Sequence, residues 1–152
     1  MIELDLQIAS FLREAAIPLL DTILTELSNQ GSLDEKRYEP PPDDADFRET
    51  WLENLHADQR NDLLAARRLV REDAFGTESP LFIEADEAEA ALRGFTAARL
   101  RIHETFLSEI SDVVLEQGEL DFETLLPDQQ LGYLGYFVAA GVQERIVGAL
   151  SA

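Results

Sequence analysis

The chain has 152 residues, no cysteine, and 31 Asp and Glu against 12 Lys and Arg, a formal net charge of −19. Without thiols there is no disulfide framework, thiolate metal site or cysteine nucleophile. A surface this acidic repels phosphate backbones and anionic lipid and suits basic partners or cations. An apolar content of 45% allows one domain with its own core.

From the N-terminus, Leu4, Ile8, Phe11, Leu12, Ala15 and Leu19 hold helical spacing, so residues 4 to 28 are expected to be helical. Asp5 is a candidate cap. Pro18 has no N–H and its ring clashes with the Glu14 carbonyl, which predicts a kink or a one-turn break. Leu20, Ile23, Leu24 and Leu27 continue the apolar face to a stop at Asn29-Gln30-Gly31. Residues 30 to 45 form a loop in which Pro40-Pro41-Pro42 favours a stiff extended connector. Asp43, Asp44 and Asp46 then suit the positive end of a helix dipole.

A helix from Asp46 carries Phe47, Trp51, Leu52 and Leu55, with a local restart expected at His56 to Gln59. Leu63, Ala66, Val70 and Ala74 extend its stripe to Gly76. Arg60, Arg67, Arg68 and Arg71 make this the most basic segment, and they are expected to pair with the nearby Asp58, Asp62, Glu72 and Asp73.

Gly76-Thr77-Glu78-Ser79-Pro80 marks a turn, followed by the short apolar run Leu81-Phe82-Ile83. The lead-in Ile83-Glu84-x-Asp86 matches Ile2-Glu3-x-Asp5 at the N-terminus. If both are extended they pair as a small two-stranded ribbon. An acidic helix start at Asp86 predicts a helix to about Gln117, its stripe running through Ala88, Leu92, Phe95, Ile102, Phe106, Ile110 and Val113. Residues 119 to 126 connect it to a closing helix led by Pro127-Asp128.

The closing helix, Leu131 to Leu150, carries only Glu144 and Arg145 as charges. One face collects Leu131, Leu134, Gly135, Val138, Val142, Ile146 and Ala149. The other collects Tyr133, Tyr136, Phe137, Ala140 and Val147. A helix apolar nearly all round is buried on more than one side or partly buried in a partner. Its second face is expected either under the Trp51 helix or against that partner. Gly132, Gly135 and Gly141 are expected to permit close helix packing.

Few residues carry chemistry. Glu53-x-x-His56 has the spacing of half a carboxylate–histidine metal motif, but the other histidine, His103, has no acid three residues before it. Arg99 stands in the middle of an apolar stripe, where an arginine must find a carboxylate or reach the surface. Glu144 is its expected partner, and His103 lies one turn beyond it. Arg99, His103 and Glu144 are therefore the candidate binding residues, with no metal and no catalytic group assigned. No Gly-rich phosphate loop and no Ser-His-Asp arrangement can be singled out.

Three pieces resemble an uncharacterised actinobacterial family, a domain of unknown function. They are Phe47-Arg48 with Asp62-Leu63-Leu64-Ala65-Ala66-Arg67; Ile83-Glu84 with Leu92 and Arg99-Leu100; and Tyr136 with Gln143-Glu144-x-x-Val147-x-Ala149-Leu150. They span roughly residues 45 to 150. Val138 and Gly141 stand where the family's tryptophans are expected. The resemblance implies a helical domain without an agreed activity. Some relatives carry the label of transcriptional regulator, and their genes often neighbour that of the Clp protease adaptor.

The expected fold is all-α: a single-domain bundle of four to five helices around a buried C-terminal helix, with a very short β ribbon. The expected function is that of a cytoplasmic, non-enzymatic protein-interaction or regulatory module, with a protein partner or a second copy of itself. No cofactor and no direct nucleic acid contact is expected, and no membrane contact, since no signal-like start or apolar span appears. The alternatives are a small-molecule- or metal-binding enzyme around Arg99 and His103, and an indirect transcriptional regulator.

Overall fold

In the computed structural model, which describes residues 1–30, 45–118 and 120–152, five α-helices pack beside a two-stranded antiparallel ribbon. The ribbon joins β1 (Ile2–Leu4) to β2 (Leu81–Ile83), with Ile2 opposite Ile83 and Leu4 opposite Leu81. The matched lead-ins are thus extended and paired. The N-terminal helix consequently begins later than its spacing suggested. Ile2, Leu4, Leu6 and Ile8 recur every second residue, the period of a strand with one buried face. Leu4 and Leu6 are almost wholly buried. Asp5 caps no helix; its Oδ1 accepts from the Gln7 N–H at 3.2 Å.

Helix α1 (Ser10–Asn29) runs through Pro18 without a break in its span. Pro18 and Glu14 are both exposed, so the missing donor falls on the solvent side of the helix. The expected glycine stop at Gly31, the triproline connector and the acidic entry at Asp43 and Asp44 lie outside the described residues.

Helix α2 (Ala45–Val70) is continuous, so the restart at His56 does not occur. After it, Gly76 adopts φ +78°, a left-handed conformation that glycine takes without strain. Its carbonyl accepts from the Ile8 N–H at 3.1 Å, tying the turn to the N-terminal lead. Helix α3 (Ala85–Phe106) opens with Asp86 and Glu87 in its first turn, as the dipole favours.

The expected continuation of α3 to Gln117 is interrupted. The chain turns at the buried Leu107, and a separate helix α4 (Asp112–Gln117) starts where the Ser111 hydroxyl accepts from the Val114 N–H at 3.3 Å. Val113, expected on the buried stripe, is exposed. A 3₁₀ turn at Phe122–Thr124 leads to helix α5 (Pro127–Ser151), with Pro127 in its first turn. The Gln129 Oε1 accepts from the Leu126 N–H at 3.0 Å, one half of a capping box.

The four long helices form a ring. α1 packs on α2, α2 on α3, α3 on α5, and α5 on α1; α1 and α3 also meet across the middle, while α2 and α5 stand apart. Phe95, Leu20, Leu24, Ile102 and Ile146 fill the core, while the approach of α3 to α2 is lined by small residues. Ala88, Ala91, Gly94 and Ala98 are buried on α3, and Ala65 and Ala66 are buried on α2. A Cβ on Gly94 would run into the Asp62 carbonyl oxygen and lie 2.7 Å from the Ala66 Cβ. Gly132 and Gly135 sit as tightly against Phe106 and Leu19, but among the described residues nothing lies within 4 Å of a Cβ at Gly141. The close packing expected at Gly132, Gly135 and Gly141 therefore holds at the first two.

The buried face of α5 contains Val138, Ala139, Val142 and Ile146. The opposite face does not pack under the Trp51 helix. Phe137 and Val147 are exposed, and Tyr133 instead meets the Phe122 ring at a centroid distance of 6.1 Å.

These contacts set opposite expectations for two glycines. Gly94→Ala should destabilise the fold by ~1–3 kcal/mol, because the backbone of α2 has to move to admit a methyl group. Gly141→Ala should raise stability by up to ~1 kcal/mol through helix propensity alone. Thermal unfolding followed by circular dichroism should show Tm moving down in the first and up in the second.

Candidate functional site

Arg99 reaches from α3 to α5. Its Nη1 donates to Gln143 Oε1 at 2.8 Å and its Nη2 to the Tyr136 hydroxyl at 3.0 Å. The guanidinium carbon lies 4.6 Å from the centre of the Tyr136 ring, a distance at which the ring quadrupole attracts a cation. Tyr136 and Gln143 are two helical turns apart on α5 and so project on the same side. Gln143 is itself fixed: its Nε2 donates to the Leu92 carbonyl and to Thr96 Oγ1, each at 2.8 Å. Leu92, Thr96 and Arg99 follow one another along one side of α3, which makes the α3–α5 seam a continuous polar track.

The expected Arg99–Glu144 pair does not form. One residue along a helix is a rotation of about 100°, and that step puts Gln143 against α3 and leaves Glu144 exposed. Glu144 still lines the same groove as Arg99.

His103 belongs elsewhere. Its Nε2 donates to the Ile110 carbonyl at 2.8 Å and lies 3.5 Å from Asp112 Oδ1. It holds the turn between α3 and α4 and does not share a site with Arg99.

That turn nonetheless shapes the site, because α4 forms one wall of the groove. The groove holds about 340 Å³ between α4 and α5, with Arg99, Glu116, Tyr133, Tyr136, Phe137 and Glu144 among its lining. Its aromatic side is a short ladder, with Tyr133 and Phe137 rings 6.3 Å apart at 29°. One cation sits at the base and two carboxylates line the same space. A larger hollow of about 590 Å³ lies between α2 and α3. Two of its charges are committed to the seam, since Arg93 Nε donates to Asp62 Oδ2 at 3.0 Å there.

The basic segment of α2 pairs differently from the local expectation. Arg71 meets Asp21 of α1 at 2.7 Å and Arg68 meets Glu87 of α3 at 3.1 Å. These are ties between elements rather than along one helix. Hydrogen bonding to Asp21 holds the Arg71 guanidinium above its ordinary pKa, and hydrogen bonding to Asp62 does the same for Arg93. Both are cationic at any ordinary pH, so neither pair acts as a proton switch.

Glu53 and His56 are exposed on α2, and among the described residues no three His, Asp or Glu side chains converge to hold a metal ion. No described helix is long and apolar enough to cross a membrane. Comparison with protein-family models, with curated proteins and with solved structures finds no match to this chain.

Sequence reasoning singled out Arg99 and Glu144 but not Tyr136 and Gln143, which hold the guanidinium. Their signal was the seven-residue spacing on α5, which places a hydroxyl and an amide on the side that faces an arginine.

Arg99→Met removes the donor from Gln143 Oε1 and should cost ~1–2 kcal/mol, measured as a fall in Tm with the far-UV spectrum unchanged. His103→Ala should act locally. Hydrogen exchange should accelerate across residues 107–117 and stay unchanged in the α1–α3 core, because its bond closes a turn rather than a helix seam.

Proposed function

We propose that this protein is a non-enzymatic interaction module of the cytoplasm, consistent with membership of the actinobacterial family its sequence resembles, and that it docks a partner helix on the outward face of α5. Phe137 and Val147 carry the reading: they are 55% and 50% exposed on a helix whose other side is sealed. Scattered exposed apolar residues are ordinary. These two share one strip with Tyr133, Ala140, Gly141 and Gly148, interrupted by the single charge of Glu144. The glycines strengthen the case, because nothing lies within 4 Å of a Cβ at either position. Each costs up to ~1 kcal/mol of helix propensity relative to alanine, and among the described residues no contact offsets that cost. A second helix laid along the strip gains from them, since small residues let two axes approach closely.

Charge selects the occupant. A second copy brings another net charge of −19 and another Glu144 to the same place, which opposes self-association. A helix with an apolar face and basic flanks meets the strip with its apolar side and Glu116 and Glu144 with its cations. Regulation of transcription through a protein partner fits this mode. Direct DNA binding gains no support from the basic segment at the end of α2, where Arg68 and the adjacent Arg71 are engaged by carboxylates.

An amphipathic peptide helix of Leu and Lys is a suitable probe. It should bind the wild type, and Phe137→Ser should weaken binding about tenfold or more with Tm unchanged. The substitution is neutral, so equal binding by both proteins would reduce the interaction to general charge attraction and defeat the proposal. Sedimentation of the protein alone should show a monomer. A dimer lost in Phe137→Ser would instead make a second copy the occupant.

A further inference from the structure

The fold leaves the charge of Arg99 unmet. Arg68, Arg71 and Arg93 each meet a carboxylate from another element. Arg99 meets only an amide oxygen and a hydroxyl, and its Nε is buried without an acceptor. Among the described residues no carboxylate lies within ion-pair distance of it. The Tyr136 hydroxyl accepts from Arg99, so its own proton is directed elsewhere, and no acceptor among the described residues takes it. Both groups open on the groove beside Phe137. A cation and a hydroxyl donor, side by side and short of acceptors, define a place for an anionic oxygen.

Gln143 explains why the place stays open. Its amide nitrogen is fixed by Leu92 and Thr96, which turns its oxygen toward Arg99. The guanidinium is thus oriented by a neutral group and not neutralised. A carboxylate at this position would have closed the ion pair inside the chain. The apolar surroundings, Leu115, Phe137 and Ala140, strengthen whatever charge pair forms there relative to one in water.

We propose that the Arg99–Tyr136 corner is a receptor for one carboxylate on the docked helix, so that the partner presents a single Asp or Glu on its apolar face, flanked by Lys or Arg. The inference rests on the docking reading above. The incoming carboxylate accepts from the free N–H groups of Arg99 Nη1 and Nη2 and from the Tyr136 O–H. The flanking cations meet Glu116 and Glu144. The corner therefore sets register, because a helix displaced along the strip leaves its carboxylate against those acids.

The test is a set of Leu/Lys amphipathic peptides in which one Glu steps along the apolar face, each matched by a peptide with Gln at that position. With the wild type, Glu at one position should bind about tenfold tighter than Gln. The preference should vanish in Arg99→Gln and in Gln143→Glu, which supplies the carboxylate from within, and should shrink in Tyr136→Phe. Thermal melts identify any variant that fails to fold, and Tyr136→Phe removes only one oxygen. If no position prefers Glu while Phe137→Ser still abolishes binding, the carboxylate receptor is wrong and the docking strip stands. A preference that survives Arg99→Gln also overturns it. If no peptide in the set binds the wild type, both ideas fall.

Discussion

At Gly94 the backbone of α3 runs so close to α2 that a β-carbon would collide with the Asp62 carbonyl oxygen, and the rest of the bundle depends on that approach. Small residues at Ala88, Ala91 and Ala98 continue it along α3. With α3 drawn this near to α2, its other side is free to meet α5, and α1 can reach α3 across the middle of the ring. Helices that approach this closely interdigitate over their whole contact, so their relative rotation is fixed. The rotation of α3 decides that Arg99 emerges at the α5 seam and not at the seam with α2.

The charged contacts follow the same geometry. Arg71–Asp21, Arg68–Glu87 and Arg93–Asp62 each bridge two elements, where side chains of different helices come within reach. Their side chains are largely exposed on the arginine side, so each contributes little to stability. They distribute charge more than they hold the fold. In a chain of net −19, the unpaired acids among the described residues lie outside the core and repel one another, and the apolar seams have to outweigh that repulsion.

Most of the helical architecture was legible because its periodicity was strong, and the misses have physical causes. Leu4 and Ile8 fit a helical spacing only if Leu6 and Ile2 are passed over; alternation along Ile2-Glu3-Leu4-Asp5-Leu6-Gln7-Ile8 was the better match. The break after Phe106 was carried by Ser111, whose hydroxyl satisfies a backbone N–H that a continuous helix would have bonded itself. Apolar spacing runs on through Ile110 and Val113 and conceals that competition. At the candidate site, Arg99 was evident from its place on an apolar stripe. Its partners were not, because the choice between Gln143 and Glu144 is a rotation of α5 fixed by packing at Gly132 and Gly135, which a linear sequence does not display.

The preference for Gln143 over a carboxylate has a consequence for stability. A half-buried guanidinium held by neutral acceptors is less stabilised than one that also meets a carboxylate, so the isolated chain gains less from Arg99 than it could. The same is true on the outward strip, where Gly141 and Gly148 weaken the helix and Phe137 faces water. Three departures from what would best stabilise the free chain thus fall on one groove and the helix face next to it. Elsewhere the helices follow the ordinary rules, with acids in the first turns of α3, α4 and α5 and tight small-residue seams at the centre. Local departures from stabilising choices concentrate where a protein meets something else. Their convergence on the outer face of α5 is what makes a bound helix, completing the charge of Arg99 and covering Phe137, the most economical account of that surface.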